Sequence, residues 1–462
     1  MMSMNKAGIR KASFNTMQII ALGFLGVILL GTVLLWMPFS NQTPITFADA
    51  LFTAVSAVCV TGLVTITPAV QFTVVGKVIL LLLIQIGGLG VIACTVAFFL
   101  ILRKKITVKE RVMIQQAYGL DTLSGLVTFI IGILKGTFFV EGIGAVCYAF
   151  YFVPKYEWKK GIAYSIFHAV SAFCNAGIDI LGDSSFMEMS TSPIINLTTM
   201  GLVILGGLGF LVWYDVIRNT RKTIADKMPW KRLFTRLQLQ SKVALTMTGG
   251  LLLVGFFSFL LLEYQNPQTL GGMSFGEKLM AAGFQSMTTR TAGFASVPQS
   301  ALTEGSRLLG CILMFIGGSP GGTAGGVKTA SVAMLLLTCT AVLRGRKDTE
   351  CFGRKIAPAV VRSGITIITV TFLFWFCGVT ALTILEPGTD FLNIMYEVTS
   401  AMATVGLTAD LTASLTRASQ VVLMILMYAG RIGPLTMALL FAGKAKMSSH
   451  LRDLPEKRIM LG

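Results

Sequence analysis

Four stretches of this chain carry one pattern in one register. They are FTAVSAVCVTGL at 52–63, FHAVSAFCNAGI at 167–178, FQSMTTRTAGF at 284–294 and YEVTSAMATVGL at 396–407. A serine, at 56, 171, 286 and 400, precedes a glycine at 62, 177, 293 and 406, and the glycines are 115, 116 and 113 residues apart. A second glycine signature trails each by 25, 29, 24 and 24 residues: GGLG at 87–90, GGLG at 206–209, GGSP at 317–320 and GRIG at 430–433. Chance supplies one such pair in a chain with 48 glycines, not four in register. A repeat of this period means that the chain is one structural unit used four times. The units are 1–120, 121–240, 241–360 and 361–462.

Composition says where those units sit. Charged residues make up 13% and hydrophobic ones 54%, about half the charge of a soluble domain, so the chain is an integral membrane protein. In each unit a long apolar run comes first, near 15–37, 122–153, 243–262 and 363–385. A half-polar segment follows, near 46–58, 161–173, 275–288 and 390–402. A second long run ends the unit, at 75–102, 193–214, 308–343 and 418–443. The middle segment, about 12 residues or roughly 18 Å of helix, is too short to cross a hydrocarbon core of about 30 Å. It therefore enters and leaves on one side. The expected fold is all-α: four tandem helix–pore loop–helix units with pseudo-fourfold symmetry around one pore.

Orientation follows from the basic residues. Segments 1–16, 103–121, 215–242, 344–362 and 443–462 hold 27 Lys and Arg, while the opposite-side segments hold 8. The positive-inside bias puts the first set, with both termini, in the cytoplasm and the four loops outside. The net charge of +17 is thus explained by topology, and nucleic-acid binding is not expected. The eight cysteines sit mostly in apolar runs without a CxxC pair, and the two histidines, His168 and His450, are too far apart for a metal site. Neither HExxH nor an intramembrane pair of aspartates occurs, which argues against an enzyme.

Irregular backbone at membrane depth is tolerated only where protein buries it or water lines it. Four such loops meeting on one axis form a ring of carbonyls that replaces the hydration shell of a cation. Glycine permits the backbone angles required, and the pore helices aim their negative C-terminal ends at the ring. Asp179, Asp183 and Asp410 at the outer mouth would raise the local cation concentration. From the residues alone the substrate is a monovalent cation.

The motifs VTGL at 60–63, NAGI at 175–178, TAGF at 291–294 and TVGL at 404–407 resemble those of the Ktr/Trk/HKT potassium-uptake superfamily, and the likeness covers nearly the whole chain. The chain is most similar to the KtrB/KtrD type of membrane subunit, because no extra helix pair precedes the first unit. The resemblance implies potassium as the transported ion, bound mainly by backbone carbonyls of Val60, Thr61, Gly62, Asn175, Ala176, Gly177, Thr291, Ala292, Gly293, Thr404, Val405 and Gly406, with sodium as an activator. It also implies a homodimer in the cell membrane and a cytosolic octameric RCK-type ring (KtrA/KtrC-like) that binds ATP or ADP and touches the basic loops 103–111, 218–236 and 344–355. The tail, 457–462, would lie near the subunit interface.

The stretch Gly317-Gly318-Ser319-Pro320-Gly321-Gly322-Thr323-Ala324-Gly325-Gly326 interrupts the second run of unit three. It is expected to break that helix below the ring and lie across the ion path as a gate. The shorter clusters at 87–90 and 206–209 read instead as close helix packing through small residues. Arg431, the one charge inside its run before Lys444, is expected near the middle of a helix, facing the same cavity as the gate. A competing reading, an alternating-access secondary transporter, ordinarily brings inverted halves. The four units here run in the same direction.

Overall fold

The computed structural model describes residues 16–102, 104, 106, 107, 110–112, 114, 115, 124–182, 184–433 and 436–437. The expected boundary at 120/121, the residue Asp183, part of the loop at 103–111 and the C-terminal tail lie outside the described residues.

Four outer helices, Thr16–Trp36, Leu126–Lys155, Leu239–Glu263 and Pro358–Leu385, are long and apolar enough to cross a membrane. Their surfaces are sorted by helical period. In the first, Ala21, Phe24, Ile28, Thr32 and Leu35 are buried at three- and four-residue spacing, while Leu22, Leu25, Leu29 and Leu30 are exposed. An apolar row facing outward on a spanning helix faces lipid. The one polar group on the buried row is satisfied within the helix, since Thr32 Oγ1 donates to the carbonyl of Ile28 at 2.8 Å.

The four pore helices, Phe47–Cys59, Trp158–Phe173, Phe275–Thr288 and Phe391–Ala403, are the core. Between Ala50 and Cys59 every residue but Leu51 is buried. Three of them start on side-chain caps. Thr46 accepts from Asp49 N at 3.2 Å, Asp390 from Asn393 N at 3.2 Å, and Ser274 with Glu277 makes a capping box. Carboxylates hold the outer loops in place. Glu263 and Glu386, which close the third and fourth outer helices, each accept from the backbone and hydroxyl of a threonine that caps an inner helix, Thr303 and Thr416. Arg417 closes the circle, gripping Asp49 of unit one with both guanidinium nitrogens at 2.6 and 3.1 Å.

The inner helices depart from expectation. The runs 75–102 and 193–214 were expected as single crossings. Instead Val74–Leu89 and Val91–Ile101 meet at 105°, and Pro193–Leu208 and Phe210–Ala225 at 98°. Each break falls on the last glycine of GGLG, Gly90 and Gly209, with φ of +84° and +93° and ψ of 145° and 139°. That region is open almost only to glycine. In unit four the helix Arg417–Ile432 ends at Gly433 with φ +99°, so Arg431 lies in a last helical turn and not mid-helix. A cation suits a helix C-terminus, where unpaired carbonyls collect. Unit three breaks most widely, between Glu304–Phe315 and Thr329–Leu343. Packing through small residues is also present: a Cβ on Gly87, Gly206 or Gly430 would strike the carbonyl of Val58, Phe173 or Met402 near a pore-helix end.

Candidate functional site

Past the end of each pore helix, two positions before its glycine, stands a strained residue. Val60, Asn175, Thr291 and Thr404 have φ of +57°, +59°, +71° and +51°. Left-handed backbone is uncommon outside glycine, and three of these four are β-branched. Such a conformation costs about 1–3 kcal/mol at each site and persists only where the surroundings enforce it. In units one, two and four the enforcement is one hydrogen-bond pattern. Thr61 N, Ala176 N and Val405 N each bond the carbonyl of the unit's serine at 2.8 Å, which makes a Schellman ending. Ser56 and Ser400 then accept from Gly62 N and Gly406 N at 3.0 Å. Ser171 instead donates to Ile178 O at 2.6 Å.

Unit three is one residue shorter, and its serine does not match the others. Ser286 bonds Leu252 O of the outer helix, and Thr288 braces the loop by donating to Phe294 O at 2.6 Å. The sequence signal for this was the eleven-residue length of that repeat.

The four glycines close into a ring. A Cβ placed on Gly62 would come within 2.6 Å of Ala176 O, and one on Gly177 within 2.6 Å of Ala292 O. One on Gly293 would come within 2.5 Å of Val405 O, and one on Gly406 would strike Thr61 O. Each glycine therefore faces the carbonyl before the next unit's glycine, in the order one, two, three, four, one. Positive φ (+101°, +64°, +83° and +94°) and this crowding both demand glycine. Above the ring opens a cavity of about 400 Å³ lined by all four glycines, Asp179 and Asp410. Asp410 is held by Ser300 at 2.6 Å.

Below the ring lies the 317–326 loop. It is bonded along its length. Ser319 N and Thr323 N donate to Gly207 O and Gly206 O at 3.0 and 3.2 Å, and Phe210 N donates back to Gly321 O at 3.0 Å. The loop thus sits in the broken corner of the second inner helix. Arg431 reaches it from unit four, donating to Thr323 O and, on its other side, to Gly87 O and Gly88 O of unit one. Gly317 is pressed against Gly325 and Gly326, where any side chain would collide with Gly325 O.

Asn175, Lys328 and Arg290 add side-chain bonds around the ring and the loop, and the last two carry no mark in the repeat pattern. The Asn175 amide bridges the hydroxyls of Thr291 and Thr323 at 3.2 and 3.3 Å, so this residue does more than offer a carbonyl. Lys328 Nζ donates to Ala324 O at 2.5 Å. Arg290 Nη2 donates to Gly317 O at 3.1 Å. The signal for Arg290 and Lys328 in the sequence was a cation beside each glycine motif of unit three.

Comparison with known proteins agrees with this architecture. The model of the TrkH family, described as cation transport protein, matches residues 2–450. The chain is 40% identical to the potassium/sodium uptake protein NtpJ of Enterococcus hirae, with all of both chains covered. It is 38% identical to Ktr system potassium uptake protein B of Bacillus subtilis, over 94% of each, and 35% to that of Vibrio alginolyticus, over 98% and 96%. In structure it is similar to the potassium transporter TrkH from Vibrio parahaemolyticus, with a TM-score of 0.66 at 19% identity, covering 94% of this chain and 86% of that one. That likeness concerns the fold. The chain is a multi-pass membrane protein and belongs to the TrkH family of cation transport proteins.

Proposed function

We propose that the chain takes up potassium across the cell membrane, through the glycine ring as selectivity filter and past the 317–326 loop as gate. The closed ring of four glycines, each facing a neighbour's carbonyl below an outer cavity, carries this reading. A cation at the ring would exchange water for carbonyl oxygens held in place by strained backbone. Four pore-helix C-termini, at Cys59, Phe173, Thr288 and Ala403, point their partial negative charge toward it. One glycine per loop supplies few stacked carbonyls, so discrimination against sodium is modest. Relatives named for potassium uptake, and one for potassium/sodium uptake, support both statements.

The loop's position under the ring, with Arg431 drawn to its carbonyls, represents a shut gate with a fixed positive charge in the ion path. Opening requires Arg431 and the loop to part. Names of the form Ktr system protein B support a multi-component assembly. In it this chain forms a homodimer on a cytosolic RCK-type ring binding ATP or ADP, with both termini cytoplasmic. Sodium is an activator.

The test is growth rescue of potassium-uptake-deficient cells at micromolar to millimolar potassium, with flux measured in liposomes holding the purified chain. Rescue and a potassium-over-sodium flux ratio above one are expected. Equal flux of both ions and no rescue, with the chain correctly inserted, rules the reading out.

A further inference from the structure

Three residues before each ring glycine stand Cys59, Cys174, Arg290 and Ala403. In three units the side chain there is small and fully buried, 0%, 0% and 2% exposed. In the third it is an arginine, 7% exposed. The third is also the unit whose inner helix carries the long loop. Nη2 of Arg290 holds the carbonyl of Gly317, the first residue of that loop, and its backbone leads directly into Thr291 of the ring.

The arrangement is poor for stability. Nη1 is buried and has no partner among the described residues, and no carboxylate pairs with the guanidinium among them. A buried, unpaired charge in a membrane protein is costly and marks function by default. A small cavity lined by Arg290, Thr248, Gly207 and Gly318 adjoins it, and the Thr248 hydroxyl is likewise buried without a partner. An arginine kept only to tie helices would have its donors filled. Among the described residues this one has a single hydrogen bond, and that bond runs from ring to loop.

We propose that Arg290 is a positioning residue that couples ion occupancy of the ring to the state of the gate loop. The role rests on reading the ring as the potassium site. An ion that orders residues 291–293 moves or fixes the base of Arg290, and through it Gly317. The Asn175 bridge between Thr291 and Thr323 is a second thread in parallel. Coupling is reciprocal, so the gate's state also alters ion affinity at the ring. An ion shifts the gate only as far as it binds one state better than the other.

The experiment follows amide hydrogen exchange of peptides covering 317–326 in the full-length protein, in potassium, sodium or choline alone. Thermal stabilisation by potassium is measured in parallel as a readout of the ring. In the unsubstituted protein, exchange in potassium and choline should differ by roughly tenfold or more, the range of a charge-assisted hydrogen bond. Arg290→Met, which keeps length and removes the buried charge, should bring the two rates to within about twofold while potassium still stabilises the protein. Arg290→Gln is read in the same way and stands in if the first variant does not fold. A purely structural arginine would instead raise exchange equally in all three salts, and that result overturns the coupling. So does potassium stabilisation of the unsubstituted protein without any ion-dependent exchange. Absence of potassium stabilisation in the unsubstituted protein overturns the ring reading first, and the coupling with it.

Discussion

Arg431→Ala tests the gate most directly. The guanidinium donates to Thr323 O in the loop and to Gly87 O and Gly88 O in unit one. On the gate reading the Thr323 bond is broken when the loop leaves, while Gly87 and Gly88 lie outside the loop. A hydrogen bond from a charged group contributes about 1.5–3 kcal/mol. Removing it from one of two states shifts their ratio by roughly 10- to 150-fold, at about 1.4 kcal/mol per factor of ten. If Arg431 lies in the ion path as proposed, removing its charge lowers the barrier to a cation further. The assay is potassium flux into liposomes containing the full chain, with and without the proposed cytosolic partner, beside size-exclusion analysis of the oligomer. Flux without the partner should rise by at least tenfold. Arg431→Lys should fall between, because a single ammonium does not fork to both units. A stably inserted Arg431→Ala protein that conducts at or below the unsubstituted rate would refute the argument and leave Arg431 as a tie between helices.

Three other outcomes follow from the same geometry. Gly406→Ser, and separately Gly293→Ser, should lower the potassium-to-sodium flux ratio while the protein still inserts, since each Cβ meets a neighbouring carbonyl; an unchanged ratio for both removes the ring. Shortening 317–326 by several residues should raise flux and weaken its dependence on the partner, and a folded deletion protein conducting no faster makes the segment packing. Gly90→Ala and Gly209→Ala share a backbone cost of about 1–3 kcal/mol. Only the second adds a collision with the gate, because its Cβ would lie 2.6 Å from Pro320 O while nothing lies within 4 Å of the first. Thermal denaturation should thus show a loss for both, no smaller for Gly209→Ala, and partner-free flux should rise for Gly209→Ala alone.

The architecture was legible in the sequence because it depends on period and length. A helix too short to cross must turn back, whatever surrounds it, and the turn residues repeated four times at fixed spacing. The ring glycines were legible for the same reason: positive φ and close approach of backbones leave glycine as the residue, and glycine is visible in a sequence. The break at 317–326 could be read because six glycines and a proline cannot continue a helix.

The bends at Gly90 and Gly209 were not legible. One glycine is compatible with a helix or with a corner, and the choice was made by what packs against it. The pore-helix carbonyls of Val58 and Phe173 press on the preceding glycines, and the loop of unit three occupies the corner left at Gly209. Arg431 looked central because its apolar run was counted as one helix, whereas Gly433 ends the described helix one residue after Ile432. The one-residue deficit in unit three had no local meaning until Thr288 was seen in the serine's place. Above all, Asn175, Arg290 and Thr323 lie far apart in the sequence, with nothing there to join them. Period and composition are properties of a segment and act before tertiary contacts form. A hydrogen bond between units is a property of the closed ring, and only the folded chain decides which side chain finds which carbonyl.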